Sequence, residues 1–473
     1  MMKPLIYKIA IAIALFLGTF IVFKLLQRPA VYNATLKHIT YTYFTYADNT
    51  TGIYKVDNPY SWRDNKNALR WDGWDYYKIR VDYYHPDLKI KGTWKYGFFP
   101  LFPLLWKVSH IGVLYIGLFN YLLFGIAVIL FSIFLFKETA LSYSEKICTF
   151  VVALILPPVV TYYLPYADAL STLTFALALW GLFKKKYSLF FFFILLFAMT
   201  RPMFLIVGLA FIIMEIYYLF KHRNFTHFIK ELSLKLFPLL LGTIIVFLMF
   251  WHSSGTFFIY FESCAQNWNI GFSIPKKIFD WSLEGYGMNV FTIFFILIPS
   301  SILFISNFIK LLRSEKTNDL PTVFKGDLSF IKEYFLNFST VCFWGVFLYV
   351  LFFQNGSLNG LSRYIIASPF MLIYLFGVIP LLKKIKANHF NAFTVVLSMA
   401  GLYMLIFVFK QKPSITFSDS GFFTLFLDFI FIYSMKYMKN YVKIISLSIL
   451  VFYNVIWITY LYNVYLCNGW IFT

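Results

Sequence analysis

Residues 111–136 read IGVLYIGLFNYLLFGIAVILFSIFLF, an unbroken apolar run of 26 residues with no charged side chain. About 20 such residues, wound as a helix, cross the hydrocarbon core of a bilayer. A strand of a membrane barrel needs only about 10 and alternates apolar with polar positions. This run does not alternate, so it reads as a transmembrane helix. Similar runs lie near 4–26, 147–163, 167–183, 187–199, 203–220, 236–252, 290–309, 335–353, 365–382, 391–409, 421–435 and 444–464. The expected fold is therefore all-α: a polytopic transmembrane helical bundle of about 11–13 spans, forming a single integral membrane domain over residues 1–473. Residues 1–27 make its first span, 28–110 a long polar loop with short interfacial helices, and 111–473 the remaining bundle with a second polar loop at 253–289.

Composition agrees. The chain is 60% hydrophobic and 23% aromatic, 13% charged, with a mean hydropathy of +0.71. A soluble domain carries about 25% charged residues. The net charge of +20 does not imply nucleic acid, because the lysines and arginines sit in small clusters between apolar runs rather than on one soluble face. Lys3 and Lys8, followed by apolar residues to Phe23 without a small-x-small cleavage site, read as a retained first helix. Cys148, Cys264, Cys342 and Cys467 show no metal spacing and read as packing residues. Two glycosylation sequons, Asn33-Ala34-Thr35 and Asn49-Thr50-Thr51, carry little weight alone.

The loop charges orient the chain. With the N-terminus on the cytoplasmic side, the cytoplasmic loops hold 22 lysines and arginines, while the opposite loops hold 6, leaving aside the 13 in the first loop. That loop is too long for the positive-inside rule to count. The first loop, and the active site with it, is thus expected outside: at the plasma or inner membrane of a bacterium, or in the endoplasmic reticulum of a eukaryote. No ATP or nucleotide sugar is available there, so a catalyst needs a substrate that the membrane delivers.

Unusual polar residues gather on that side. Arg70-Trp71-Asp72-Gly73-Trp74-Asp75-Tyr76-Tyr77 places two of only 21 acidic residues three positions apart, among tryptophans. A carboxylate at a membrane surface is a ready general base or cation ligand. Prolines 100 and 103 in Phe98-Phe99-Pro100-Leu101-Phe102-Pro103-Leu104-Leu105 limit helix there, in a segment expected to re-enter or lie along the interface. Asp168, after Leu164-Pro165-Tyr166, stands at a helix start, where it either caps free N–H groups or supports a substrate site. Arg201 in Thr200-Arg201-Pro202 and Arg363 in Ser362-Arg363-Tyr364 are costly at membrane depth unless paired. Each fits a lipid phosphate or an internal carboxylate. Gln266-Asn267-Trp268-Asn269 suits stacking on a sugar, or a packed loop. A serine elbow, a phosphate-cradling glycine loop and a histidine-rich metal set are all absent from the sequence.

Taken in order, these residues resemble the PIG-V-type mannosyltransferases, a family of polytopic GT-C glycosyltransferases. The resemblance rests on Arg70-Trp71-Asp72, Phe98 to Leu104, Tyr166-Ala167-Asp168-Ala169-Leu170, Thr200-Arg201-Pro202 and Arg363-Tyr364 with Pro369. It spans about residues 65–375; the later spans match in hydrophobicity alone. Asp168 replaces the more usual glutamate, and Asp75 stands where a histidine, tryptophan or tyrosine is expected. The resemblance implies a polyprenyl- or dolichyl-phosphate sugar donor, a glycan or glycolipid acceptor, and transfer of a hexose such as mannose on the outer leaflet. Asp72 would be the base of an inverting transfer, which needs one carboxylate where hydrolysis needs two. Arg363 and then Arg201 would bind phosphate, while Trp71 and Trp74 frame the sugar or anchor the loop. Arg70, Tyr166, Gln266, Trp268 and Tyr364 complete the expected substrate contacts. Asp75 would orient the acceptor or bind a divalent cation; no cofactor is firmly implied. Two rivals are a lipid-linked-oligosaccharide flippase, which would carry ionisable groups mid-span, and an envelope polysaccharide polymerase or ligase, whose long outer loop comes late in sequence.

Overall fold

The computed structural model describes residues 2–26, 41–45, 51–55, 68–84, 93–222, 224–275, 289, 291–313, 322–324, 326–354, 356, 358, 360–382, 417–466 and 471. The sequon asparagines Asn33 and Asn49, Cys467, Asn359 and the expected span 391–409 lie outside them. The described chain is a polytopic helical bundle. Its helices are α1 (Met2–Leu26), α2 (Asp72–Asp82), α3 (Leu101–Val108), α4 (Val113–Leu135), α5 (Tyr143–Ile155), α6 (Asp168–Phe183), α7 (Tyr187–Ala198) and α8 (Phe204–His222). They continue with α9 (Phe225–Ser254), α10 (Ile259–Trp268), α11 (Thr292–Arg313), α12 (Leu328–Phe353), α13 (Leu361–Ile366), α14 (Pro369–Leu382), α15 (Phe417–Ser434) and α16 (Asn440–Leu466). One feature is not helical: Tyr41–Thr45 pairs antiparallel with Thr51–Lys55, Tyr43 opposite Ile53.

Five of the described helices are long and apolar enough to cross a membrane: α4, α9, α11, α12 and the stretch Asn440–Thr459 of α16. A sixth crossing is available if α5 and the 3₁₀ turn Pro157–Tyr163, which meet at 65°, form one bent span. Several other expected spans are helices of 10–17 residues, among them α6, α7 and α14. At 1.5 Å per residue these are shorter than a bilayer core.

The break after α5 has a local cause. Pro157 and Pro158 donate no N–H, and the residue before a proline is pushed out of the helical region; Leu156 has φ −54° and ψ 133°. The broken segment is then held by Asn120 of α4, whose fully buried amide donates to the carbonyls of Leu164 (2.5 Å) and Tyr166 (3.0 Å). This places Asp168 at the start of α6, inside the protein rather than at its surface.

Two apolar cores result. The larger fills the bundle. The smaller lies beneath the first polar loop, where Tyr76, Ile79, Tyr84, Tyr96, Phe98, Phe99, Phe102 and Trp106 pack on Val246 and Phe250 of α9 and on α10. Here the prolines do not prevent a helix. Pro100 caps α3 and Pro103 falls in its first turn, where a missing N–H costs nothing. Leu101 donates to the Met199 carbonyl at 3.1 Å, so this segment abuts the Thr200-Arg201-Pro202 turn. Cys148, Cys264 and Cys342 are buried free thiols, as packing residues should be. At the far end of the bundle, Lys443 pairs with Glu145 (3.7 Å), while Lys436 and Lys332 donate to the backbone carbonyls of Leu382 and Lys137.

Candidate functional site

Four segments distant in sequence meet at one end of the bundle. Asp72 opens α2, Asp168 opens α6, Arg201 follows α7 and Arg363 sits in α13. One guanidinium nitrogen of Arg363 donates to Asp72 Oδ2 at 2.9 Å and to Asp168 Oδ2 at 3.4 Å. Arg201 donates to the other oxygen of Asp168. The result is an alternating chain, Asp72–Arg363–Asp168–Arg201, balanced in charge. Its centre is dry and its ends are wetter: side-chain exposure is 1% for Asp168, 6% for Arg363, 16% for Arg201 and 27% for Asp72. In such a place each charge needs its partner, since burial of an unpaired ion costs several kcal/mol.

Aromatic rings shape the chain. Tyr166 lies under the Arg363 guanidinium at 4.7 Å, and Tyr364 lies 5.8 Å from both arginines. Asp168 makes no capping bond, although it stands in the first turn of α6, where the helix dipole favours its charge. Its carboxylate goes to the two arginines instead. The choice between phosphate and an internal partner is thus resolved for the free protein, in which both arginines hold carboxylates.

α2 carries the rest. Its first turn holds Asp72 and Asp75, favourable to the dipole, while Gly73, Tyr76 and Ile79 turn inward. Trp71 precedes it at φ 48°, a left-handed conformation unusual for so bulky a residue. Trp71 and Trp74 remain 41% and 44% exposed, beside the ionic chain. Lys78 lies 5.4 Å from the rings of both Trp74 and Trp94. Burial, and then the neighbouring Asp72 charge, push the Asp75 carboxyl up from 3.8 to about 7. Among the described residues no group of three or more His, Cys, Asp or Glu side chains could hold a metal ion. Among those residues, Asp72 and Asp75 have no third donor of these types beside them.

In the second polar loop, read from sequence as a sugar contact or a packed loop, the side chains pack against the first loop. Thr93 donates to Gln266 at 2.9 Å, Asn267 donates to Thr93 at 3.1 Å, and Trp268 packs edge-on against Phe98 at 5.7 Å. These bonds fasten α10 to the first loop. No family model, curated protein or solved structure matches this chain. Its function is therefore argued from these residues.

Sequence reasoning missed the floor of the site. Arg70 is anchored through its backbone by Tyr465, near the end of α16, and Gly73 rests on Pro165 and Tyr465. A Cβ at Gly73 would come within 2.5 Å of Pro165 Cγ and 2.9 Å of the Tyr465 hydroxyl. The glycine between Asp72 and Trp74 was the available signal. Nothing in the sequence marks Tyr465 among 35 tyrosines.

Proposed function

We propose that the protein is a membrane glycosyltransferase that moves a hexose, mannose in the first instance, from a polyprenyl- or dolichyl-phosphate donor to a glycan or glycolipid acceptor on the extracytoplasmic side. The observation that carries this reading is the convergence of Asp72, Arg363, Asp168 and Arg201 beside two exposed tryptophans. An anion site, a carboxylate and aromatic faces for a sugar stand together there.

In the resting protein Arg363 donates a hydrogen bond to the Asp72 carboxylate. A donor phosphate competes for the guanidinium and frees that carboxylate. Asp72 then takes the proton of the acceptor hydroxyl, whose oxygen bonds to the anomeric carbon as the bond from carbon to phosphate oxygen breaks. The lipid phosphate leaves with the electron pair, on the face opposite the attack, so configuration inverts. Arg363 and Arg201, already oriented by Asp168, meet the growing negative charge without reorganising, which makes such electrostatic stabilisation effective. A positioned base contributes about 10²–10⁴-fold. Trp71 and Trp74 frame the sugar, and Asp75, protonated in about half of the molecules near pH 7, donates a hydrogen bond that orients the acceptor.

The test incubates the purified protein in nanodiscs with radiolabelled polyprenyl-phosphate hexoses and an envelope lipid extract. Label should move into a new glycan or glycolipid, and Asp72→Asn should reduce turnover at least 100-fold while the protein still inserts and folds. Label that only changes leaflet would support a flippase. Near-normal turnover by Asp72→Asn would remove Asp72 as base.

A further inference from the structure

The last described helix lies outside every motif that points to transfer, yet its end reaches the floor of the ionic chain. Tyr465 is 1% exposed. Its hydroxyl accepts from the Arg70 backbone N–H at 3.1 Å and shares its one proton between the carbonyls of Arg70 (2.9 Å) and Ala68 (3.2 Å). One side chain, 395 residues away from Arg70, thus bonds three backbone groups of the turn before α2, adding to the bond the Arg70 carbonyl accepts from Gly73 N. The same hydroxyl lies against Gly73. The Tyr465 ring meets Tyr166 edge-on at 6.1 Å, and Tyr166 is the ring under Arg363.

Tyr465 thus touches the supports of both partners of one ion pair. On one side it fixes the turn that aims Asp72; on the other it props the ring on which Arg363 lies. It also bears on the strained residue between them. Trp71 holds φ 48°, and such a conformation persists only where the surroundings over-determine it. Here the restraints are Arg70, fixed by Tyr465, and the bonds Gly73 N to Arg70 O and Trp74 N to Trp71 O, both 2.9 Å.

We propose that Tyr465 is a positioning residue for the reaction: through its hydroxyl the C-terminal helix α16 holds the Asp72 turn in register with Arg363. This inference rests on the transferase reading above. It implies that α16 belongs to the working site, although no chemistry happens on it. A residue of this kind changes the rate more than the affinity, because displacement of reacting groups by about 1 Å costs up to 100-fold while ground-state contacts survive.

Tyr465→Phe keeps the ring and removes only the hydroxyl, so the bundle should still fold. Two readouts on the full chain in nanodiscs separate the possibilities. Hydrogen exchange of a peptide covering residues 71–76 needs no substrate, and should accelerate about tenfold or more as the turn loosens. With a polyprenyl-phosphate hexose, kcat should fall about tenfold while the donor KM changes less than about twofold. Unchanged exchange would overturn the proposal, and so would faster exchange with unaltered kcat. If the wild-type protein transfers no sugar, the transferase reading fails; the exchange result then still decides whether Tyr465 holds the turn.

Discussion

Replacing Asp168 by asparagine strikes the ionic chain at its driest point. The carboxylate is 1% exposed, and both its oxygens are occupied by guanidiniums. Asparagine has nearly the same volume, so no cavity opens. What is lost is charge, opposite two arginines that stay positive. At an effective dielectric of about 20, two unit charges at hydrogen-bonding distance attract by about 5 kcal/mol, much of it offset by desolvation. Losing one member of a buried pair costs about 3–5 kcal/mol in practice. Arg363 keeps Asp72 as a partner and Arg201 is 16% exposed, so relief from both sides brings the expected cost to the lower end, about 3 kcal/mol. Asp72→Asn should cost less, about 1 kcal/mol, because that carboxylate is 27% exposed and is held by Arg363 at 2.9 Å. The assay is thermal denaturation of both variants in one detergent, followed by helical signal. The order of the midpoints should be wild type, Asp72→Asn, Asp168→Asn. If Asp168→Asn melts with the wild type, or Asp72→Asn is the weaker protein, the buried centre of the ionic chain does not contribute this stability.

Two further outcomes follow from buried charge elsewhere. Asp75 is pushed up from 3.8 to about 7, so its proton is bound more tightly in the folded protein than in the unfolded chain. The stability this gives is full below about pH 4 and is lost as pH rises towards and through 7; the midpoint of Asp75→Asn relative to wild type should rise over that window and level off above it. A difference that does not change with pH would refute the assignment. At the far end, Lys235 (1% exposed) bonds Glu215 at 2.5 Å and Glu231 at 3.2 Å, and Tyr334 donates to Glu215 at 2.9 Å. Lys235→Met should therefore cost about 3–5 kcal/mol, measured by thermal denaturation, and adding Glu215→Gln with Glu231→Gln should recover most of it.

The fold class was legible because its cause is local. Uninterrupted apolar runs such as 113–135 have one stable answer in a bilayer. The four members of the ionic chain were legible for a related reason: Asp72, Asp168, Arg201 and Arg363 are charges where membrane segments tolerate few. Their pairing was not. Arg363 and Asp72 lie 291 residues apart, and no period in the sequence encodes which carboxylate a guanidinium will meet. Prolines 100 and 103 misled because their effect depends on position within a helix, and both fall at its start. The sequence left Gln266 and Trp268 open between a sugar contact and a packed loop, because the partners they meet, Thr93 and Phe98, lie more than 160 residues away. The hairpin between Tyr41 and Lys55 left no helical trace and was passed over inside a loop. The short helices α6 and α7 fall within a residue of the expected 167–183 and 187–199.

The separation of the two apolar cores bears on how the protein fails. The region that carries Asp72 and the tryptophans has its own aromatic interior, resting on the bundle at α9 and at the beginnings of α4 and α6. Such a unit can open without unwinding the spans beneath it. The vulnerable property of this protein is then the shape of that smaller unit rather than its place in the membrane. A substitution in that smaller core would leave an inserted, helical molecule with a disordered ionic chain, indistinguishable from the native one to any measurement that counts only helices.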